Sequence, residues 1–370
     1  MKQFQITKAD MAQSRLVALD EADLQPGEGE VLVAIERFGF SANNITYAAT
    51  GERIGYWQFF PPQGDDAGEW GVVPVWGFAD VITSNCADIP VGERLFGYFP
   101  PATHLKMRPE GVASGHFFDA MPHRAALPRG YNIYRRVSAE PGYDRAQDDL
   151  RMLLFPLYLT AFVLWDQLKE HNWYGAEQIA LTSASSKTSI GLAYALHGDP
   201  DAPRVIGLTS AANAEFVQSL GIYDRVIAYD DIAQKLTAKP TTIVDMAGNA
   251  DVLGNTHAHL GEAMMRTLNV GLTHWDIKQD GDGGGADGKA NINRDRSEFF
   301  FAPSRIQQRM KDWGAAEFDA KSLGFVRDAV ADSASWLTLS QHEGLAGFDQ
   351  LFADMRDNKV PPTTGLVILP

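Results

Sequence analysis

A chain of 370 residues with 45% hydrophobic side chains is too long for one ordinary core and apolar enough to build two. Its 32 Lys and Arg against 47 Asp and Glu leave a net charge of −15, which repels a phosphate backbone and argues against nucleic acid or an anionic membrane surface as partner. The single cysteine, Cys86, excludes a disulfide framework and any multi-thiolate zinc or iron–sulfur site, and it fits a reducing, cytoplasmic setting.

The N-terminal residues Met1 to Asp10 carry no apolar signal core, and the longest apolar run, Met152 to Trp165, is short and contains Pro156, so an untargeted soluble protein is expected. Strands are predicted over 30–36, 76–82 and 91–97, divided by Gly and Pro turns, which suggests a small β-barrel. A strand over 104–108 comes next. From 116 to 143 no period is evident, and Pro122, Pro128 and Pro141 interrupt the stretch. An apolar helix is predicted over 150–170 despite Pro156. Residues 178–196 then read as a buried strand, a tight small-residue turn and a helix, the opening of a nucleotide-binding βαβ unit. Further strands over 204–210, 226–229 and 242–248, with a helix over 213–220, complete an α/β alternation and imply a doubly wound parallel sheet. Asp280 to Gly288 reads as a flexible glycine-rich loop. The tail reads as strand 336–340, helix 345–356 and strand 365–369. The expected domains are 1–150 with 335–370, and 151–334.

Five short segments follow one another in a telling order: Gly29-Glu-Val-Leu-Val33, Val91-Gly-Glu-Arg-Leu-Phe-Gly97, Leu159-Thr-Ala-Phe162, Asp245-Met-Ala-Gly248 and Thr364-Gly-Leu-Val-Ile-Leu369. Together they resemble the medium-chain dehydrogenase/reductase superfamily, its zinc-free quinone and enoyl reductases above all. The length and middle section also resemble a bacterial domain family of unassigned function. The resemblance implies an α/β protein, a GroES-like β-barrel domain plus a Rossmann domain, acting as an NADP(H)-dependent oxidoreductase.

In that superfamily the first βα turn presents glycines, so that backbone N–H groups at a helix N-terminus approach the cofactor pyrophosphate. Here the matching stretch is Ser183-Ala-Ser-Ser-Lys-Thr-Ser189, without a glycine. Hydroxyls of Ser183, Ser185, Ser186, Thr188 and Ser189 can supply donors and Lys187 a charge, yet side chains also obstruct the close approach that glycine permits. A degenerate, empty turn is the alternative. A P-loop reading of Ser186 to Ser189 lacks the two defining glycines. The second strand ends Leu208-Thr-Ser-Ala-Ala-Asn213, with no carboxylate to repel a 2′-phosphate. Thr209 and Ser210 can donate to that phosphate. The resemblance adds Tyr229 beside it, and Asp245 with Gly248 after the fourth strand, so NADP(H) is expected over NAD(H).

Zinc dehydrogenases of the superfamily need a thiolate where this chain has Phe38-Gly-Phe-Ser41, so no metal is expected. His257 and His259 fall on different sides of a helix. A calcium reading of the glycine loop lacks the closing Glu, Asn291 standing there instead. Metal-free reduction needs a proton donor, and the resemblance points to the loop holding Asn43, Asn44, Tyr47 and Tyr56. Tyr56 or Tyr47 would donate, and Asn43 or Asn44 would orient substrate or nicotinamide; simple aromatic packing is the alternative. The basic run 123–136 could hold an anion, or be a solvated loop or a set of salt bridges. The expected activity is hydride transfer between NADP(H) and an activated C=C, carbonyl or quinone of a small-molecule substrate, and a homodimer is compatible with the sequence. The rival is a non-catalytic nucleotide-binding or sensor protein with a decayed fingerprint.

Overall fold

A computed structural model describes residues 1–270 and 291–370, so the glycine-rich loop at 280–288 lies outside the described residues. The chain forms two compact units, Met1–Pro156 with Ser333–Pro370, and Leu157–Asp332.

In the first unit, β1 (Lys2–Thr7) and β2 (Ser14–Ala18) form an antiparallel hairpin that the sequence reading did not anticipate, with Phe4 and Ile6 turned into the core. After β3 (Val31–Phe40), the short β4 (Trp70–Gly71) adds to this hairpin in the order β2-β1-β4. β3 instead joins β5 (Val75–Ser84), β6 (Arg94–Phe99) and β7 (His104–Met107) in the main antiparallel sheet. Register shifts at Leu32/Val33 and Ile35/Arg37 bend β3, as a barrel-like sheet requires. The strand expected over 91–97 begins only at Arg94, because Gly92 turns the chain with φ +87°. β8 (Pro109–Glu110) precedes the stretch without a period, which supplies β9 (His116–Asp119) and β10 (Ile133–Arg136), and the three extend the sheet as β6-β10-β9-β8.

The helix Asp148–Glu170 carries the chain onward and keeps Pro156 inside it. Its Leu153 fits so closely against Gly39 and Gly365 that a Cβ at those positions would stand 3.0 and 2.5 Å from the leucine side chain.

The second unit is a six-stranded parallel sheet of β11 (Gln178–Leu181), β12 (Arg204–Thr209), β13 (Arg225–Ala228), β14 (Thr241–Asp245), β15 (Met264–Asn269) and β16 (Ser297–Phe299). Their order, β13-β12-β11-β14-β15-β16, is the doubly wound dinucleotide-binding order, which places ligands at the carboxyl ends of β11 and its neighbours. The central strands β11 and β14 are buried at every position, which is why they read as continuous apolar runs. Ala180, Ile206, Leu208 and Ile243 lie in one core cluster with Leu253 and Leu260 of the helix Ala250–Leu260.

The chain returns to the first unit through β17 (Thr338–Glu343) and β18 (Thr364–Leu369), parallel to each other, with β18 antiparallel to β3. Between them the helix Phe348–Arg356 packs Phe348 and Phe352 against Phe4 and Phe40. Among the described residues no helix is long and apolar enough to cross a membrane.

Candidate functional site

At the end of β11 the buried Thr182 ties two strand ends together. Its hydroxyl donates to Asp245 Oδ1 at 2.6 Å and accepts from the Met246 and Ala247 N–H groups at 2.9 and 3.1 Å. Ser183 then takes φ +49°, a left-handed conformation that glycine adopts without strain and a serine does not. The sharp turn that glycine makes in related folds is therefore made here by a serine, whose N–H donates to the Tyr229 hydroxyl at 2.9 Å. Ser186 is the N-cap of the helix Lys187–His197, its Oγ accepting from the Ser189 N–H at 3.3 Å. Ser189 is fully buried and donates its hydroxyl to the Thr182 carbonyl at 3.0 Å, so it braces the turn from within. Ser185 Oγ accepts from Asn213 Nδ2 at 3.1 Å. Lys187 and Thr188, both half-buried, open the helix. Burial pushes the Lys187 ammonium down to about 8.

β12 ends in buried Thr209, and half-buried Ser210 leads into the 3-10 turn Ala211–Asn213 without a carboxylate. Asp245 lies at the end of β14. Burial raises its carboxyl pKa against hydrogen bonds from Thr182 and from the Ala247 and Gly248 N–H groups, and its Oδ2 has no partner among the described residues. Gly248 takes φ +62° in this turn. The carboxyl ends of β11 to β14 thus gather Ser183 to Ser189, Thr209, Ser210, Tyr229, Asp245 and Gly248, all named from the sequence. Thr182, which joins the two turns, was not. A threonine closing an apolar strand gives no signal until its partner strand is known.

The barrel unit holds the other candidates. The helix Ala42–Ala49 begins at Ser41, and Asn44 completes a capping box. Asn44 accepts from the Ser41 N–H at 2.8 Å and donates to the Pro74 carbonyl at 2.9 Å, so its amide is engaged by main chain. Asn43 remains half-buried one residue earlier. One turn on, the Tyr47 ring packs 4.5 Å from that of Tyr56 at a tilt of 40°, and both are buried. The Tyr56 and Tyr131 hydroxyls meet at 3.2 Å. Burial pushes the Tyr47 and Tyr56 phenols above their ordinary value, so both keep their protons at neutral pH. Trp76 and Tyr98, absent from the sequence candidates, complete this aromatic cluster at 5.2 Å from each other.

The basic run 123–136 is held by internal partners. Arg124 is fully buried, bonded to Asp119 at 2.9 Å, Asn132 at 3.0 Å, the Tyr134 hydroxyl at 2.8 Å and the Tyr131 carbonyl at 2.7 Å. Arg136 pairs with Glu93 at 2.7 Å, and Arg129 lies over the Phe118 ring. His257 is a core histidine between Thr267 Oγ1 at 2.9 Å and the Asn293 N–H at 3.0 Å, pushed down by burial to about 4. His259 meets the Leu236 carbonyl instead. Among the described residues no group of three or more His, Cys, Asp or Glu could hold a metal ion.

A family described as "Protein of unknown function (DUF2855)" matches residues 38–361. No curated protein matches the sequence. Among solved structures, the chain is similar to CurA from Vibrio vulnificus in complex with NADPH, at 16% identity and a TM-score of 0.60, covering 100% of this chain and 99% of that one. It is also similar to mycobacterial Rv1454c complexed with NADPH, at 17% identity and a TM-score of 0.57 with 100% of both chains covered. A third is the yhdH oxidoreductase from Salmonella enterica in complex with NADP, at 14% identity and a TM-score of 0.53, again over 100% of both chains. At such identities the likeness shows the fold: a barrel-like antiparallel sheet and a doubly wound parallel sheet in one chain.

Proposed function

For this chain, which belongs to the DUF2855 family, we propose the function of an NADP(H)-dependent oxidoreductase that transfers a hydride to or from an activated C=C, carbonyl or quinone group of a small molecule, without zinc. The observation that carries this reading is the chemistry of the strand ends in the parallel sheet. Ser183 makes the tight left-handed turn, Ser186 caps the helix, Lys187 adds a cation, and no carboxylate follows β12. That donor set suits a dinucleotide carrying a 2′-phosphate, the cofactor with which CurA, Rv1454c and yhdH were crystallised.

In this reading Ser185, Ser186, Lys187 and Thr188 face the pyrophosphate, and Thr209, Ser210 and Tyr229 the 2′-phosphate. Ser183, Ser189, Asp245 and Gly248 hold the two turns in shape. Bound NADPH supplies the hydride. Tyr47 or Tyr56, protonated at neutral pH, gives the proton that completes the reduction and regains one from solvent. Asn43 orients the substrate, while Asn44 acts through the backbone of the helix that carries Tyr47. Zinc independence is supported by Ser41 standing as a helix cap where a thiolate ligand would be needed. The single cysteine supports a cytoplasmic setting.

One observation favours a non-catalytic nucleotide-binding protein: the Ser183 N–H, which would meet a phosphate, is already engaged by Tyr229. Thermal-shift titrations with NADPH, NADH and ATP separate the readings, followed by NADPH oxidation assays on a panel of conjugated carbonyls and quinones. The oxidoreductase reading expects stabilisation by NADPH and turnover of some member of the panel. Binding of any of the three nucleotides without turnover favours the sensor, no binding of NADPH refutes the oxidoreductase reading, and no binding of any of the three refutes both.

A further inference from the structure

We infer that the barrel unit holds the carbonyl oxygen of a flat, conjugated carbonyl compound on the Trp76 indole N–H and the Tyr98 hydroxyl. The reduction of that compound rests on the oxidoreductase reading above, whereas its recognition is a property of this cluster alone.

Trp76 and Tyr98 stand directly opposite each other on β5 and β6, so their side chains leave the same face of the sheet. Tyr131 lies 4.8 Å from the Tyr98 ring and Tyr47 5.8 Å from it, closing an aromatic cluster around the pair. Trp76 is 8% exposed and Tyr98 0%, yet among the described residues neither the indole Nε1 nor the phenol oxygen has a hydrogen-bond partner. A buried polar group left unpaired costs on the order of 1–3 kcal/mol, so two in one cluster are an expense that packing alone does not explain. Trp76, Tyr98 and the Asn43 amide all hold the Tyr47 phenol down against the effect of its burial, so the two atoms lie on the side of the cluster that carries the Tyr47 hydroxyl.

The missing partner follows from donor chemistry. An indole N–H can only donate, so the partner must present an acceptor. The nearby cation, Arg124, is bonded to Asp119 and two tyrosine oxygens, which leaves neutral donors and favours a neutral acceptor over a carboxylate or phosphate. The surrounding rings favour a planar, polarisable body. A ketone, aldehyde or quinone oxygen conjugated to a flat π-system meets all three conditions. When a hydride adds to the conjugated carbon, the electron pair moves onto this oxygen, where the two donors stabilise it until a tyrosine proton completes the addition.

The test compares acetophenone with α-methylstyrene, the same skeleton with a methylene in place of the oxygen, on the full chain labelled with 15N at tryptophan. The Trp76 indole resonance, assigned by its loss in Trp76→Phe, is expected to move downfield with acetophenone and to stay within the aromatic ring-current effect of α-methylstyrene. Tyr98→Phe removes one oxygen while keeping the ring, and is expected to weaken acetophenone roughly tenfold and leave α-methylstyrene unchanged. If the two compounds move the resonance alike, or if Tyr98→Phe binds both as the wild type does, the inference is wrong. A parallel NADPH titration keeps the two readings apart: acetophenone-specific shifts without NADPH binding support this site and refute the cofactor, and NADPH binding without those shifts does the reverse.

Discussion

Lys187→Ala isolates the charge in the nucleotide turn. Burial holds the Lys187 ammonium down to about 8, against 10.5 for an ordinary lysine. Each unit of that difference corresponds to about 1.4 kcal/mol, so an anion that restores the ordinary value would couple to the lysine by at most about 3 kcal/mol. Solvent near the half-buried side chain reduces this, and a loss of about 1–3 kcal/mol, roughly five- to 150-fold in NADPH affinity, is expected at pH 7. The pH dependence gives an independent sign. A lysine whose folded pKa is depressed opposes folding below pH 8, and that penalty disappears as pH rises toward 10.5. The ligand-free wild type should therefore gain stability relative to the variant as pH rises from 8 toward 10.5. Binding runs the other way, because above pH 8 the free protein has lost the proton that the phosphate needs opposite it. Wild-type affinity should fall steadily between pH 8 and about 10, while the variant stays flat. Titrations that follow NADPH fluorescence, paired with ligand-free melts, read both quantities. Equal affinities at pH 7, or a wild-type profile as flat as the variant's, would refute the placement of Lys187 beside a phosphate.

Wild-type protein should bind NADPH at least about tenfold tighter than NADH, a difference of about 1.4 kcal/mol. Ser210→Asp, which puts a carboxylate where β12 ends, should erase that preference in the same titration. Arg124→Met leaves the Asp119 carboxylate buried without its guanidinium and should cost about 3–5 kcal/mol in urea unfolding. Dialysis against a chelator should leave melting temperature and turnover unchanged; activity lost on dialysis and restored by zinc would overturn the metal-free reading.

Most of the parallel sheet was legible because its strands are buried on both faces. Gln178–Leu181, Arg204–Thr209 and Thr241–Asp245 read as apolar runs, with helical patterns between them. The serine turn was legible by position, since it lies between a strand and a helix, but its left-handed Ser183 was not, because nothing in Ser-Ala-Ser-Ser announces a positive φ. The segment 109–136 was opaque for a tertiary reason. Its strands are two to four residues long, too short for alternation to show, and pairing with β6 sets their register. Arg124 sits in a basic run that reads as surface, and only the fold brings it Asp119, Asn132 and Tyr134. Trp76 reads only as the start of a strand and Tyr98 lies just past the predicted strand 91–97, and it is the register that sets them opposite each other.

The pairing of β18 with β3 also sets an order for folding during synthesis. The parallel sheet of the second unit is drawn from one continuous stretch, Leu157–Asp332, and all its strands leave the ribosome before β17 and β18 are made. The first unit must wait, because the strand that hydrogen-bonds Phe38, Gly39 and Phe40 is translated only after the entire second unit. Until then the Phe38–Phe40 end of β3 lacks its second neighbour, while Val31 to Ala34 are already paired with β7. That open end invites pairing with other nascent chains, so the yield of this protein should depend more on chaperone supply and translation speed than the stability of the finished molecule would suggest.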